Sequence, residues 1–351
     1  MDKKFWKNKK VFVTGHNGFK GSWLSIWLTE LGAKVYGYSL KTNTKPSLFE
    51  TCFLDERVNS VTGDIRDYEK LKKTIISVQP DIVIHMAAQA LVLESYKNPI
   101  ETYQTNLMGT VNILNAIREV STTKAFINVT SDKCYENKEN FKAFKETDPM
   151  GGFDPYSSSK ACSELITAGY RASFFKNSVA IATVRAGNVI GGGDWALDRI
   201  IPDFVKKMNQ NQKISIRNPD AIRPWQFVLE PLSGYLTLAE KLFLKGSDYA
   251  EAWNFGPDNQ EDKSVEWLIS KFDKEYGGGN NFKILLNDNL PHEADYLKLD
   301  CSKSIERLDW SPKLKIEKCI SLTSDWYKNF YAQDKDMYGF SVEQIKQFEL
   351  I

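Results

Sequence analysis

The chain has 351 residues, 42% hydrophobic and 26% charged, which is enough apolar material for a large domain and a smaller one. The 46 basic and 45 acidic residues nearly cancel, and no long block carries one sign, which argues against binding to nucleic acid or to a membrane surface. No stretch has the apolar length of a signal peptide or a membrane span. The five cysteines are scattered and lack metal-ligand spacing, so we expect a cytoplasmic protein with no metal site and no disulfides.

The first half of the chain alternates short β-branched runs with amphipathic helical patterns. The expected strands are 11–14, 34–38, 59–61, 82–85, 125–130 and 179–184. The expected helices are 20–31, 67–78, 99–118 and 156–175. This alternation predicts an α/β fold with a Rossmann-type doubly wound parallel sheet, which we assign to a dinucleotide-binding domain over residues 1–190.

After Gly191 the pattern becomes looser. It predicts helices near 200–209, 230–243 and 264–275, and loops at 217–224 and 277–281. We assign residues 191–351 to a smaller mixed α/β region that binds the substrate, and we expect some strands and helices of this tail to pack back on the first domain.

A glycine-spaced loop follows the first strand and opens the first helix. Its residues Gly15, Gly18 and Gly21 would let the backbone approach a pyrophosphate, which the unpaired amides of the helix N-terminus attract. We therefore assign cofactor contacts to the segment Gly15, Asn17, Gly18, Phe19, Lys20, Gly21. His16, within the loop, is interpreted as a local hydrogen-bonding residue.

Further cofactor contacts are expected at the carboxyl ends of neighbouring strands. Asp64 and Ile65 follow the third strand, where the carboxylate could accept a hydrogen bond from the adenine amino group. The small residues Ala87 and Ala88, with Gln89, follow the fourth strand, and Asn106 lies in the next predicted helix. The second strand ends in Tyr-Ser-Leu-Lys without the acid that often binds the ribose of NAD, so this run leaves NAD and NADP both open.

Tyr156 and Lys160 lie one helical turn apart, so both can face one site. A tyrosine is a poor base unless its pKa of ~10 is lowered towards neutrality. We expect the lysine cation and a positive nicotinamide ring to do this. Ser131, at the end of the fifth strand, can hydrogen-bond a substrate hydroxyl, so the three residues together predict nicotinamide-dependent oxidation.

The motifs resemble those of extended short-chain dehydrogenases of the nucleotide-sugar 4,6-dehydratase family, and most closely its CDP-glucose branch. The matching stretches, between residues 13 and 300, are VTGHNGFKGSWL, HMAAQALVLESY, VTSDKCYEN, DPYSSSKACSELI, RAGNVIGGGDW, RNPDAIRPWQFV and HEADYLKLD. The resemblance implies NAD as cofactor, a nucleotide sugar as substrate, and a homodimer formed through the two long helices, about 99–118 and 156–175.

Asp132 and Lys133, directly after Ser131, distinguish a dehydratase from other members of this fold. Sugar-nucleotide 4,6-dehydratases generally have Asp-Glu here as acid and base, and the CDP-glucose branch has lysine second. The resemblance therefore implies a hydro-lyase in which Tyr156 serves oxidation at C4, Lys133 removes the C5 proton, and Asp132 protonates the departing 6-hydroxyl.

The substrate side is expected to include two arginines of the RNPDAIRPW stretch, Arg217 and Arg223, whose guanidinium groups suit phosphates. Asn188, His292 and Glu293 match family positions that line the sugar-nucleotide pocket, and Arg199 is assigned to the same site.

Three alternatives remain open. One is a dehydratase acting on another nucleotide sugar, such as dTDP-glucose or GDP-mannose. A second is a 4-epimerase or 4-ketoreductase, against which the Asp132 and Lys133 pair argues. The third is a non-catalytic regulator that binds NAD, against which the presence of Ser131, Tyr156 and Lys160 argues.

Overall fold

A computed structural model describes residues 1–138, 142–176, 178–216, 218–258, 263–279, 281–284, 296–333 and 336–351. Three predicted substrate residues, Arg217, His292 and Glu293, lie outside the described residues. Within the described part, no helix is both long enough and apolar enough to cross a membrane.

Seven strands form one parallel sheet in the order β11-β6-β5-β4-β1-β2-β3. The strands, in chain order from β1 to β13, are Lys10–Thr14, Lys34–Ser39, Asn59–Thr62, Ile82–His85, Ala125–Val129, Ala180–Ala186, Val189–Ile190, Ile214–Ile216, Ile222–Arg223, Gln226–Phe227, Ala252–Phe255, Lys263–Ser264 and Phe282–Ile284. The order 3-2-1-4-5-6 along most of the sheet confirms the predicted doubly wound Rossmann fold.

Helices cover both faces of this sheet. The helices, from α1 to α14, are Lys3–Trp6, Phe19–Glu30, Leu48–Thr51, Tyr68–Val78, Val92–Lys97, Pro99–Tyr103, Gly109–Ile117, Pro155–Phe174, Ile200–Met208, Leu229–Lys245, Val265–Tyr276, Ser302–Leu308, Ile316–Ala332 and Met337–Leu350. A π-helical segment, Gln104–Met108, joins α6 to α7. The predicted helix 99–118 is therefore present, but with one widened turn.

The central strands carry the apolar core because both of their faces are covered. Residues of β4 and β5 are buried along their whole length, as expected for interior parallel strands. Helix α8 begins where the Asp154 carboxylate accepts a hydrogen bond of 2.9 Å from the Ser157 amide, which is an N-cap. Because β1, β4, β5 and β6 are parallel, their carboxyl ends lie along the same edge of the sheet, next to the start of α8.

Residues after 190 contribute to both parts of the molecule. Strand β11 pairs with β6 in the central sheet, α10 packs against β5 and β6, and α14 packs against α2. The remaining short strands form separate two-stranded sheets, β7 with β10, β8 with β13 and β9 with β12. The predicted loop 217–224 is wrong at Ile222–Arg223, because these residues pair with Lys263–Ser264 as antiparallel strands.

Candidate active site

The glycine loop between β1 and α2 is shaped by two glycines that admit no side chain. Gly15 has a φ of 71°, and a Cβ on it would lie 2.8 Å from the Ala87 nitrogen. A Cβ on Gly21 would lie 2.0 Å from the Gly15 carbonyl oxygen. Gly18 caps the N-terminus of α2, which therefore points its free amides into the loop.

His16 ties this loop to the two strands β2 and β3. Its Nδ1 lies 2.6 Å from Ser39 Oγ and its Nε2 lies 2.7 Å from Ser60 Oγ. Burial lowers the pKa of His16 to about 4, so the ring is neutral at neutral pH. The interpretation of His16 as a local hydrogen-bonding residue is confirmed. Asn17 Nδ2 donates a 2.6 Å hydrogen bond to the Leu40 carbonyl, which holds the loop against the end of β2.

The other two loop residues, Phe19 and Lys20, face the interior. Phe19 packs against the core, and a Cβ on Gly191 would lie 3.1 Å from its ring. The Lys20 ammonium lies 6.0 Å from the centre of the Tyr235 ring. Burial lowers the pKa of Lys20 to about 8, and the positive charge of Arg199 acts in the same direction.

Residues after β4 form the facing wall. Thr14 Oγ1 accepts hydrogen bonds of 3.1 Å from the Met86 and Ala87 amides, so the glycine loop and the Ala87, Ala88, Gln89 segment are held together. Asn106 lies in the π-helical segment, where widened turns are frequent at functional sites. Its amide accepts from Gln89 N at 2.8 Å and donates to Gln89 O and to Ser159 Oγ, each at 2.9 Å.

Asp64 and Ile65 follow β3, the edge strand of the sheet. The Asp64 carboxylate is engaged by Arg66, whose Nη2 lies 2.6 Å from Oδ2, and this hydrogen bond holds the pKa of Asp64 below its ordinary value. Ile65 is buried against Gly109. A bound adenine would therefore share the Asp64 carboxylate with Arg66.

The predicted catalytic residues converge where β5 ends and α8 begins. Ser131, Asp132, Tyr156 and Lys160 are all buried, and Ser131 Oγ donates to Asp132 Oδ1 at 3.1 Å. Asp132 Oδ2 is buried without a hydrogen-bond partner among the described residues. Burial raises the pKa of Asp132, although the neighbouring Lys133 charge opposes this. A raised pKa suits a carboxyl group that has to donate a proton.

Tyr156 differs from the expectation. Burial raises its pKa to about 12 rather than lowering it, and a hydrogen bond with Ser131 is the largest opposing influence. The Lys160 ammonium, which was expected to lower the pKa of Tyr156, donates instead to the Val129 carbonyl at 3.0 Å. Burial lowers the pKa of Lys160 itself to about 8. The protein chain alone therefore does not prepare Tyr156 as a base.

A cleft of about 350 Å³ opens beside these residues. It brings together the predicted residues Lys133, Asn188 and Arg223, of which Arg223 is 7% exposed. Arg199 instead pairs with Asp194 at 2.7 Å at the start of α9, and its charge reaches Tyr156 and Lys20.

The cleft also contains residues that were not predicted. Glu136, Gly151, Gly152 and Phe153 line it, and the Phe153 side chain is 84% exposed. The available signal was the MGGF run immediately before Asp154, because a loop that leads into the helix carrying Tyr156 has to lie next to that residue.

Comparison with known proteins identifies the family. The model of the GDP-mannose 4,6-dehydratase family matches residues 12–323. The chain belongs to this family. One relative, the CDP-glucose 4,6-dehydratase of Salmonella typhimurium, is 50% identical over 354 residues, which cover 99% of this chain and 98% of that protein. The resemblance to nucleotide-sugar 4,6-dehydratases is thus confirmed.

Solved structures of nucleotide-sugar enzymes have a similar fold. The dTDP-glucose 4,6-dehydratase of Bacillus anthracis, in complex with NAD, has a TM-score of 0.77 at 22% identity, covering 92% of this chain and 97% of that one. The UDP-glucose 4-epimerase of Thermotoga maritima, with UDP-glucose, has a TM-score of 0.79 at 23% identity, covering 92% and 99%. Dehydratases and epimerases therefore share this fold.

Proposed function

We propose that the chain is a CDP-glucose 4,6-dehydratase, which converts CDP-glucose to CDP-4-keto-6-deoxyglucose and water. The observation that carries the proposal is the Asp132 and Lys133 pair, with Asp132 buried beside Ser131 and Lys133 lining the cleft. An epimerase on the same fold performs no elimination and has no need of such a pair. The 50% identity to the Salmonella enzyme along nearly the whole chain supports CDP-glucose as the substrate.

The groove beside the glycine loop fits NAD. Gly15 and Gly21 leave no room for side chains where a pyrophosphate would contact the backbone, and α2 directs its N-terminus there. A second cleft near the end of β2, beside Asn17 and Ser39, suits the adenosine ribose. This cleft is lined by two carboxyl groups, Glu50 and Asp55, and by one cation, Lys41, so its net negative charge would repel the 2'-phosphate of NADP and favour NAD.

The wall of this groove would be completed by Ala87, Ala88 and Gln89, held by Asn106, with Asp64 and Ile65 at the adenine end. Bound there, NAD would supply a hydride acceptor for C4 and a hydride donor for C6, with no net change in its oxidation state over a turnover.

Tyr156 takes the proton of the sugar 4-hydroxyl, with Ser131 hydrogen-bonded to the tyrosine. Because burial raises the pKa of Tyr156 to about 12, this step requires added positive charge near the phenol. Arg199, whose charge lowers the pKa of Tyr156, and Lys160, one turn along α8, are the protein cations placed to contribute. The product of the step is a 4-ketone, which acidifies the hydrogen on C5.

Lys133, which lines the cleft, removes the C5 proton. Asp132, whose pKa is raised by burial, gives a proton to the 6-hydroxyl, which leaves as water. The proton on Lys133 exchanges with solvent before a proton is returned to C5, so solvent deuterium enters there. Loss of the 4-hydroxyl proton from Tyr156 to solvent and uptake of a proton by Asp132 restore both groups for the next turnover. Gly187 contributes space, because a Cβ there would lie 2.8 Å from Asp132 Oδ2.

Two measurements test this function. Purified protein with NAD should convert CDP-glucose, and not dTDP-glucose, UDP-glucose or GDP-mannose, to a product with the alkaline ultraviolet absorbance of a 4-keto-6-deoxy sugar. The Lys133→Met variant should lose incorporation of solvent deuterium at C5. Incorporation at near the wild-type rate would remove Lys133 from the role of base.

The cleft residues Asn188 and Arg223 support the nucleotide diphosphate end of the substrate, with Arg199 nearby. A cytoplasmic location is part of the proposal, since all five cysteines are unpaired, as is usual in a reducing compartment.

A homodimer is proposed as well. Helices α6 and α8 are joined by the 2.6 Å hydrogen bond between Tyr103 and Ser158, and they expose the apolar side chains of Ile100 and Leu165.

A further inference from the structure

One buried ion pair contacts both ends of the segment that carries Ser131, Asp132 and Lys133. Glu164 and Arg185 have side chains that are 5% and 3% exposed. Arg185 binds the carboxylate in a bidentate manner, with Nε 2.9 Å from Oε1 and Nη2 2.8 Å from Oε2. Burial alone would raise the pKa of Glu164, but Arg185 holds it below its ordinary value, so the carboxylate stays ionised.

The N-terminal end of the segment is attached to Glu164. Thr130 Oγ1 donates to Glu164 Oε1 at 2.5 Å, in addition to its 3.1 Å contact with the Val184 carbonyl. Thr183, on β6, donates to the other oxygen of Glu164 at 2.6 Å. The two threonines therefore make equivalent bonds to one carboxylate, but only Thr130 belongs to the segment before Ser131.

The C-terminal end of the segment is attached to Arg185. Arg185 Nη1 donates to the Tyr135 hydroxyl at 2.7 Å, and its guanidinium carbon lies 4.8 Å from the centre of the Tyr135 ring. The Tyr135 hydroxyl in turn donates to Asn254 Oδ1 at 2.7 Å, on β11. The segment between Thr130 and Tyr135 is thus fixed on both sides by a single pair.

Glu164 also belongs to the helix that carries Tyr156 and Lys160, and it lies one turn beyond Lys160. The Glu164 carboxylate therefore connects α8, which carries Tyr156 and Lys160, to the segment that carries Asp132 and Lys133. Neither Glu164 nor Arg185 lines the substrate cleft.

We propose that Glu164 and Arg185 are positioning residues for the elimination step, a proposal that rests on the function proposed above. They hold Asp132 and Lys133 in register with the substrate bound against Tyr156. A misplacement of a reacting group by about 1 Å costs on the order of a hundredfold in rate, so loss of one anchor should slow elimination more than oxidation.

The test compares Thr130→Val with Thr183→Val. Each variant removes one hydroxyl from Glu164, but only the first removes a side-chain anchor of the segment, whose Thr130 amide keeps its 2.9 Å bond to the Val184 carbonyl. Oxidation at C4 is followed by the absorbance of the reduced nicotinamide in a single turnover, and elimination by deuterium incorporation at C5. We expect Thr130→Val to reduce the ratio of elimination to oxidation about tenfold or more, and Thr183→Val to leave it within about twofold.

A second readout does not depend on catalysis. Hydrogen exchange of the backbone amides of residues 131–135 should be faster in Thr130→Val than in Thr183→Val. Equal ratios and equal exchange in the two variants would overturn the positioning role. If the wild-type protein converts none of the nucleotide sugars, the proposed function fails, and the exchange result alone decides whether the pair positions the segment.

Discussion

The Lys160 ammonium donates a hydrogen bond of 3.0 Å to the carbonyl oxygen of Val129, the last residue of β5. The bond ties helix α8 to the strand end that carries Ser131. Burial lowers the pKa of Lys160 to about 8, and the charge of Lys20 lowers it further. Burial of the Lys160 cation therefore lowers the free energy of unfolding, although its hydrogen bond positions α8 against the end of β5.

This cost predicts a pH dependence of stability. The pKa of Lys160 is about 8 in the folded chain and ~10.4 when unfolded, so the unfolded state binds the proton more tightly. The contribution of Lys160 to the free energy of unfolding should rise as the pH rises through 8 and level off above ~10.4. In Lys160→Met this contribution is absent.

Urea denaturation at about pH 7 and about pH 10 measures the effect. Between these values the wild type should gain about 2 kcal/mol relative to Lys160→Met. The exposed lysine Lys73 provides the control, because Lys73→Met should keep a constant difference from the wild type. A constant difference for Lys160→Met as well would contradict the lowered pKa.

Gly15→Ala should destabilise the chain. The substitution places a side chain at a φ of 71° and brings its Cβ within 2.8 Å of the Ala87 nitrogen, so the cost should be about 1–3 kcal/mol. Thermal unfolding without nucleotide measures it. Gly169→Ala, on α8 with no atom within 4 Å of the new Cβ, is the matched control and should be at least as stable as the wild type. Equal melting temperatures for both variants would refute the strain.

Local sequence patterns predicted most of this fold, because strand, helix and glycine signals act over short distances. The convergence of Ser131, Tyr156 and Lys160 was predicted in the same way, since Ser131 follows a strand end, Tyr156 opens a helix and Lys160 lies one turn further along it. The pair of Glu164 with Arg185 was not predicted, because it joins α8 to β6 and depends on how two elements pack. The raised pKa of Tyr156 depends on burial, which no motif encodes.

Asn106→Ala should loosen the wall that follows β4. The Asn106 amide satisfies both the amide and the carbonyl of Gln89, so its removal leaves two partly buried backbone groups unpaired, at a cost of about 2 kcal/mol or more. The Gln89 amide should exchange faster with solvent, and affinity for NAD should fall. Asn115→Ala, which removes a 2.8 Å bond to Tyr68 and a 2.9 Å bond from Arg118, is the control and should leave exchange at Gln89 unchanged.

A charge on the exposed face of α8 should separate the proposed homodimer. Leu165 is 62% exposed on this helix, and burying a carboxylate there against a second copy would cost several kcal/mol. Sedimentation should show Leu165→Glu as a monomer at concentrations where the wild type is a dimer. Leu244→Glu, at a leucine that is 59% exposed on α10, should remain dimeric. A dimeric Leu165→Glu would exclude this face, whereas dissociation of both variants would point to a general loss of stability.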